Sequence, residues 1–365
     1  MPKTQFVSGV LELAKRGGAL RDPAASFQLR QTDPIVSASM IERWKLPAGA
    51  FIEGQAAAGQ PPRLVYITRS CGLPLKEFVR RTPFERLTSV DPHQRYRLSK
   101  AGRLSLRVID LFAPLGRGSR AMIVSPPKAG KTTLMQDIAT GIHADDPEVE
   151  LIILLIDERP EEETHWRRSM PGRILCSRSD QTPKEHMRLV QLAYSYVRCQ
   201  LECGRHVAVL IDSLTRMARA FNLGSSGQRG IMTGGVEAGA LELPRRFLGL
   251  ARSVEGGGSV TIVGTVLVDT GSRMDNLIFE EFKGTGNSEI ILDRSLAERR
   301  LFPAIDLLRS GTRKEEKLLS PEETRTVALL RRSLAARDTR RAMLDLLTAL
   351  KKFPSNEGLM DALRV

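Results

Sequence analysis

The chain has 365 residues, 41% apolar and 27% charged, an ordinary globular composition that can bury a large core over two or three domains. Its net charge of +13 favours polyanionic partners, nucleic acid ahead of anionic membrane, because no basic amphipathic segment carries bulky apolar anchors. The longest apolar run, residues 151–156, falls far short of the ~20 residues that span a bilayer. The start MPKTQFVSG has no leader-like stretch, so the chain reads as a cytoplasmic protein with no membrane partner.

Residues 1–74 are short alternating apolar pieces such as Gly9-Val-Leu-Glu-Leu13, Ala50-Phe-Ile-Glu-Gly54 and Arg63-Leu-Val-Tyr-Ile67, punctuated by Gly17-Gly18 and Gly59-Gln-Pro-Pro62. Strands at this spacing predict a small β-barrel, with one or two helical turns over 37–44. Residues 75–100 are basic and irregular and read as a connector. From about 101 to 320, Val/Ile/Leu runs at 121–124, 151–156, 207–211, 260–267 and 289–292 alternate with helical segments. That rhythm predicts an α/β domain, a mostly parallel sheet with helices on both faces. Residues 321–365 read as helices, with Leu329, Leu330, Leu334, Met343, Leu346, Leu347 and Leu350 at helical spacing. The four cysteines, Cys71, Cys176, Cys199 and Cys203, form neither a C-x-x-C pair nor a disulfide framework. Cys199 and Cys203, four apart on a predicted helix, read as small buried residues on one face rather than metal ligands.

The stretch Val124-Ser-Pro-Pro-Lys-Ala-Gly-Lys-Thr-Thr133 lies between an apolar run and a helix-like segment, the build of a phosphate-binding loop. Backbone N–H groups of such a loop cradle phosphate oxygens, helped by the positive end of the next helix. Ser125, Lys128, Ala129, Gly130, Lys131, Thr132 and Thr133 are therefore candidate ATP contacts. Gly130 lets the backbone approach the phosphates, Lys131 reaches the β- and γ-oxygens, and the Thr132 hydroxyl holds Mg2+. Ser125 replaces the usual first Gly, and two prolines preset the turn. Asp212, at the tip of an apolar strand, is the second candidate for Mg2+. Glu158, at the tip of another, is the candidate general base, with Asp157 a structural acid. Among Arg294, Arg299, Arg300, Arg309 and Arg313, one fixed near the Gly-Thr turn at 311–312 suits an arginine finger reaching a neighbour's nucleotide, which requires an oligomer; the alternative is solvated surface. Two Gly-rich segments, 224–235 and 269–287, either line a channel for a phosphodiester strand or are ordinary turns.

These pieces together resemble the bacterial transcription termination factor Rho family. The resemblance is carried by Ser125-Pro-Pro-Lys-Ala-Gly-Lys-Thr132, Ile156-Asp-Glu-Arg-Pro-Glu-Glu162, Ile211-Asp-Ser-Leu-Thr-Arg-Met-Ala-Arg-Ala220 and Thr233-Gly-Gly-Val236. Val268-Asp-Thr-Gly-Ser-Arg-Met-Asp275, Glu280-Glu-Phe-Lys-Gly-Thr-Gly-Asn287, Phe302-Pro-Ala-Ile-Asp306 and Arg309-Ser-Gly-Thr-Arg-Lys-Glu-Glu316 complete it. It implies a RecA-like P-loop ATPase domain behind an oligonucleotide-binding barrel, assembled as a homohexamer. Such rings hydrolyse ATP with Mg2+ at subunit interfaces, pull single-stranded RNA through the centre and act on the RNA polymerase elongation complex. It implies catalytic roles for Glu158, Lys131, Asp212, Arg313 and Arg300. It places Arg159 and Arg216 around the phosphates and Phe302 against adenine. RNA contacts are implied for Arg229, Thr233, Gly234, Arg273, Lys283 and Gly284 in the channel loops and for Arg21 in the barrel.

The barrel departs from the family pattern. Gly17 and Ala19 stand where the family carries two Phe residues, and Ile35 and Leu64 where it carries tyrosines. Stacking contributes ~1–3 kcal/mol per base, so capture of unpaired pyrimidines is expected to be weak. Charge-driven binding survives, with 13 Lys/Arg against 7 Asp/Glu over residues 1–90. Two rivals remain: a diverged paralogue that binds nucleic acid or polymerase and regulates without terminating, and a ring ATPase of the same fold acting on protein.

Overall fold

In the computed structural model, which describes residues 4–224, 235–237 and 239–363, the chain opens with strands β1 (Thr4–Ala14) and β2 (Gly17–Arg21). β3 (Ile35–Val36), helix α1 (Ala38–Trp44), β4 (Phe51–Ala57), β5 (Arg63–Ser70) and β6 (Leu73–Pro74) follow. β1 is long enough to serve two partners, pairing with β4 along its first half and with β2 along its second. A parallel contact between Ile35 and Arg63 closes β3 onto β5, so five strands form a barrel. Leu11, Leu20, Val36 and Ile52 point inside, and shifts of register between β4 and β5 let Leu64 and Ile67, three apart, both do so. The 37–44 segment is α1, whose Ser37 hydroxyl accepts from the Met40 N–H at 3.3 Å.

The chain then passes through α2 (Leu75–Val79) and β7 (Ser89–Val90) to α3 (Leu104–Phe112), β8 (Arg120–Ser125), α4 (Lys131–Asp145), β9 (Glu150–Glu158), α5 (Pro160–Ser169) and β10 (Arg173–Arg178). After these come α6 (Pro183–Glu202), β11 (His206–Asp212), α7 (Leu214–Gly224), α8 (Glu242–Leu248), β12 (Arg252–Val254), β13 (Ser259–Leu267) and α9 (Arg273–Lys283). β14 (Ser288–Ile291), α10 (Arg294–Glu298), β15 (Gly311–Thr312), α11 (Pro321–Ala335), α12 (Thr339–Lys352) and α13 (Asn356–Ala362) complete the fold. The sheet runs β10-β9-β11-β13-β8-β14-β15, parallel from β10 through β14 and antiparallel at β15.

Each central strand is apolar throughout because both its faces are covered. On β9, Leu151, Ile153 and Leu155 enter the core under α3, α4 and α11–α13. Ile152, Leu154 and Ile156 enter the opposite core under α6–α9. The periodic apolar residues of the C-terminal helices are buried in the first of these cores, except Leu329, which is 55% exposed. Four strands escape the apolar-run reading: β7, β10 and the short β12 and β15. β10 is an edge strand with Arg at both ends. β7, two residues of the expected connector, pairs with β12 and so joins the large sheet. Among the described residues no helix is long and apolar enough to cross a membrane.

The barrel rests on α6. Tyr196 meets Phe27 and Phe51 edge-on, ring centroids 6.4 and 6.5 Å apart. Arg188 grips Glu12 at 2.6 and 2.7 Å. Gly49, in left-handed backbone, comes so close to α6 that a β-carbon would lie 2.1 Å from the Ser195 carbonyl carbon.

Candidate active site

The carboxyl ends of β8, β13, β11 and β9 form one rim, the usual place for a ligand in a sheet of this type. The loop after β8 turns into α4 with only Lys128 (φ 64°) and Gly130 (φ 91°) in left-handed backbone. Ser125 needs no such freedom, which explains how the loop dispenses with its usual first Gly. The Ser125 hydroxyl donates to the Pro126 carbonyl at 2.8 Å. Lys128 and Thr133 are exposed, Ala129 is buried, and Lys131 and Thr132 open α4 half-buried. The free N–H groups of this first turn face outward for an anion.

The Lys131 ammonium is ion-paired with Asp212 at the end of β11. Asp212 is 1% exposed and also accepts from the Thr265 hydroxyl at 3.0 Å. A buried carboxylate must be compensated, and these two donors compensate it. Thr265 lies on neighbouring β13 in an apolar run and carries no motif, so no pattern pointed to it. Glu158 ends β9 at 2% exposure, accepts from the Arg159 N–H at 3.0 Å and faces Arg216 at 3.1 Å. Burial pushes its pKa above that of an ordinary Glu, and the Arg216 charge opposes the rise. Arg216 also donates to the Asp157 carbonyl. Asp157 is exposed, in left-handed backbone.

Phe302 is 47% exposed and would lie 3.4 Å from a β-carbon at Gly130. Its ring walls a cavity of about 610 Å3 that includes Lys128, Ala129, Gly130, Thr133 and Ala304. Arg103 and Asp137, an ion pair that no motif flagged, form the far side. The cavity thus joins an apolar wall to the phosphate-loop backbone. Arg159 and Arg300 are exposed near the rim elements, Arg300 in left-handed backbone.

Arg313 is not part of this cluster. It follows β15, level with Asn287 and the first residues of β8, whereas the phosphate loop lies past the last. Four residues of strand separate those levels, about 13 Å. Arg313 lines a separate cavity of about 700 Å3 with Asp91, Arg120, Arg252, Lys314 and Lys317.

Of the candidate polyanion contacts, Arg229, Thr233 and Gly234 lie outside the described residues. The ends of their loop are joined by Asn222, which donates to the Gly235 carbonyl at 3.1 Å and accepts from the Glu237 N–H at 2.7 Å. Arg273 begins α9 and Lys283 ends it, both exposed, with Gly284 following. That loop is anchored by fully buried Asp275, which accepts two bonds from Arg219 at 2.9 and 2.6 Å. Arg21 is held by Glu12 at 2.6 Å and Asp33 at 2.5 Å, so its charge is already matched. Gly17 has φ 123°, and a β-carbon there would lie 2.6 Å from the Val36 carbonyl oxygen. The backbone itself excludes a ring at that position.

Residues 105–312 match the ATP synthase alpha/beta family, nucleotide-binding domain. Over 98% of its length the chain is 44% identical to transcription termination factor Rho of Aquifex aeolicus, covering 84% of that protein. It is 42% identical to Rho of Chromobacterium violaceum, covering 98% of this chain and 88% of the relative. A type III secretion system ATPase superposes with a TM-score of 0.65 at 23% identity, over 83% of this chain and 90% of the other. EscN from enteropathogenic E. coli does so at 0.60 and 24%, over 77% and 64%. At those identities the secretion ATPases share the fold alone. By its nearly full-length similarity to these termination factors and its P-loop ATPase domain, the chain belongs to the transcription termination factor Rho family.

Proposed function

We propose that this chain is an RNA-dependent ATP hydrolase that assembles as a homohexameric ring, translocates on single-stranded RNA and releases the transcript from the RNA polymerase elongation complex. The observation that carries the reading is the convergence of Lys131, Asp212 and Glu158 on one rim beside the phosphate loop. On ATP arrival Lys131 leaves Asp212 for the β- and γ-phosphates. The hard oxygen donors of Thr132 and Asp212 fit Mg2+, which when bound offsets phosphate charge. Glu158 takes the proton of the attacking water, and its raised pKa suits a general base. Arg216 holds Glu158 in place, and Arg159 and Arg300 lie about the phosphates. Phe302 packs on the base. Arg313, too far from its own phosphate loop, serves a neighbour's, so the active site is completed by a second copy. The channel loops, with Arg229, Thr233, Gly234, Arg273, Lys283 and Gly284, grip RNA.

The test is ATP hydrolysis with no nucleic acid, poly(C), mixed-sequence RNA or single-stranded DNA. Strong stimulation by RNA is expected; activity indifferent to nucleic acid would point to a protein-handling motor instead. A second reading, a regulator that binds without terminating, is favoured by the loss of rings at barrel positions 17, 19, 35 and 64. Transcript release from a paused polymerase separates the two.

A further inference from the structure

The barrel and the ATPase domain meet at a cluster of sulfur that the ATP site does not use. Cys71 sits in the turn between β5 and β6, in left-handed backbone at φ 48°. Its side chain lies against the end of α6, where Cys199 and Cys203 stand four residues apart. The Cys71 and Cys199 Sγ atoms are 3.5 Å apart, and all three sulfurs lie within 4.8 Å of one another. Cys71 and Cys199 are each 2% exposed, and Cys203 is half-buried. A metal bonded to thiolates at about 2.3 Å places tetrahedral sulfurs about 3.8 Å apart and trigonal ones about 4.0 Å apart. The observed spacing brackets both values, so shifts of tenths of an ångström bring three ligands to one ion.

The surroundings fit such an ion. The Phe51 N–H donates to the Cys71 Sγ at 3.4 Å. Arg81, bonded to Glu202 at 2.9 Å, stands beside the cluster. A cavity of about 300 Å3 lined by Pro47, Arg81, Pro83, Cys199 and Glu202 reaches the cluster at Cys199. Packing alone asks only that each cysteine be small and apolar; it does not ask that three sulfurs from two domains face one point.

We propose that Cys71, Cys199 and Cys203 form a binding site for one thiophilic d10 metal ion, zinc(II) or copper(I), that pins the barrel to the ATPase domain. Soft thiolate donors without carboxylate or imidazole select these ions over Mg2+. Binding releases up to three thiol protons to solvent as the metal–sulfur bonds form, so affinity rises with pH. Because the ligands come from both domains, the ion binds only the docked arrangement and stabilises it by mass action.

The test uses reduced, metal-stripped full-length protein. Cobalt(II) serves as the spectroscopic probe, with zinc(II) to displace it, and copper(I) is titrated anaerobically against a chromogenic chelator. One equivalent bound is expected, with a sulfur-to-cobalt charge-transfer band and a higher melting temperature. The zinc and copper arms show which ion is held more tightly. Cys203→Ser, at the half-buried position, is expected to lose the band and the melting shift while folding normally. Cys176→Ser, on β10 away from the cluster, keeps both. Absence of stoichiometric binding by either ion would overturn the proposal, as would binding that survives both Cys71→Ser and Cys203→Ser.

Discussion

Replacing Glu158 with Gln separates the chemistry of the site from its stability. Gln keeps the side-chain volume and an acceptor for the Arg159 N–H, which lies 3.0 Å away. It removes a carboxylate that is 2% exposed and whose ionised form burial disfavours. It also removes the charge partner of Arg216. These two effects oppose each other, so the melting temperature is expected to move little. A positioned general base contributes roughly 10²–10⁴-fold, about 2.7–5.4 kcal/mol of barrier at 1.36 kcal/mol per decade. Single-turnover phosphate release with RNA present should fall by that factor, while a fluorescent ATP analogue still binds. The wild-type rate should decline on the acid side at a higher pH than an ordinary Glu would give, because protonation of the raised carboxyl disables the base. The residual rate of E158Q should be flat there. Turnover within tenfold of wild type would refute the assignment, and so would loss of nucleotide binding together with turnover.

Arg313→Ala and Lys131→Ala should each abolish hydrolysis, the first by roughly 10³–10⁵-fold, yet mixed rings of the two should regain activity at wild-type-like sites. No recovery in verified mixed assemblies would refute an arginine supplied by the neighbour. Ala19→Phe should tighten pyrimidine RNA by the ~1–3 kcal/mol of one stacked base, measured by fluorescence anisotropy. Gly17→Phe should instead lower the urea midpoint, because its β-carbon meets the Val36 carbonyl; a stable, tighter-binding Gly17→Phe would contradict the backbone argument. Arg21→Ala should leave the salt dependence of RNA binding unchanged, since Glu12 and Asp33 already match that charge; a shallower salt slope would mark Arg21 as a phosphate contact. Asp110, buried, has its pKa pushed up to about 6. A raised carboxyl withdraws stability as pH climbs from its unfolded value through 6. Asp110→Asn should gain on wild type over that window, by up to roughly 3 kcal/mol; a difference in urea stability that does not change with pH would exclude this.

The sheet and its rim were legible because buried parallel strands must be apolar on both faces, as on β9, and because their tips carry the charged residues. Lys131, Asp212 and Glu158 could be named from position alone. Phe302 and Arg313 lie far from the loop in sequence, and their roles followed from family resemblance rather than from pattern. Thr265 and Asn222 left no trace, since a hydroxyl in an apolar run and an amide near a helix end acquire meaning only from neighbours. The sulfur cluster was hidden for the same reason: Cys199 and Cys203 share a helix face, but Cys71 reaches them across 128 residues of chain.

Strand β9 has a second end. Glu158 closes it at the nucleotide rim, while Glu150 opens it and accepts bonds from Arg173 and the Tyr196 hydroxyl, each at 2.9 Å. Tyr196 is the ring on which Phe27 and Phe51 of the barrel rest. One stiff strand therefore has Glu158 at its tip and the barrel's footing at its root. The barrel is thus seated on the sheet through the same strand that reaches the rim, so a displacement of β9 at one end is expected to be felt at the other.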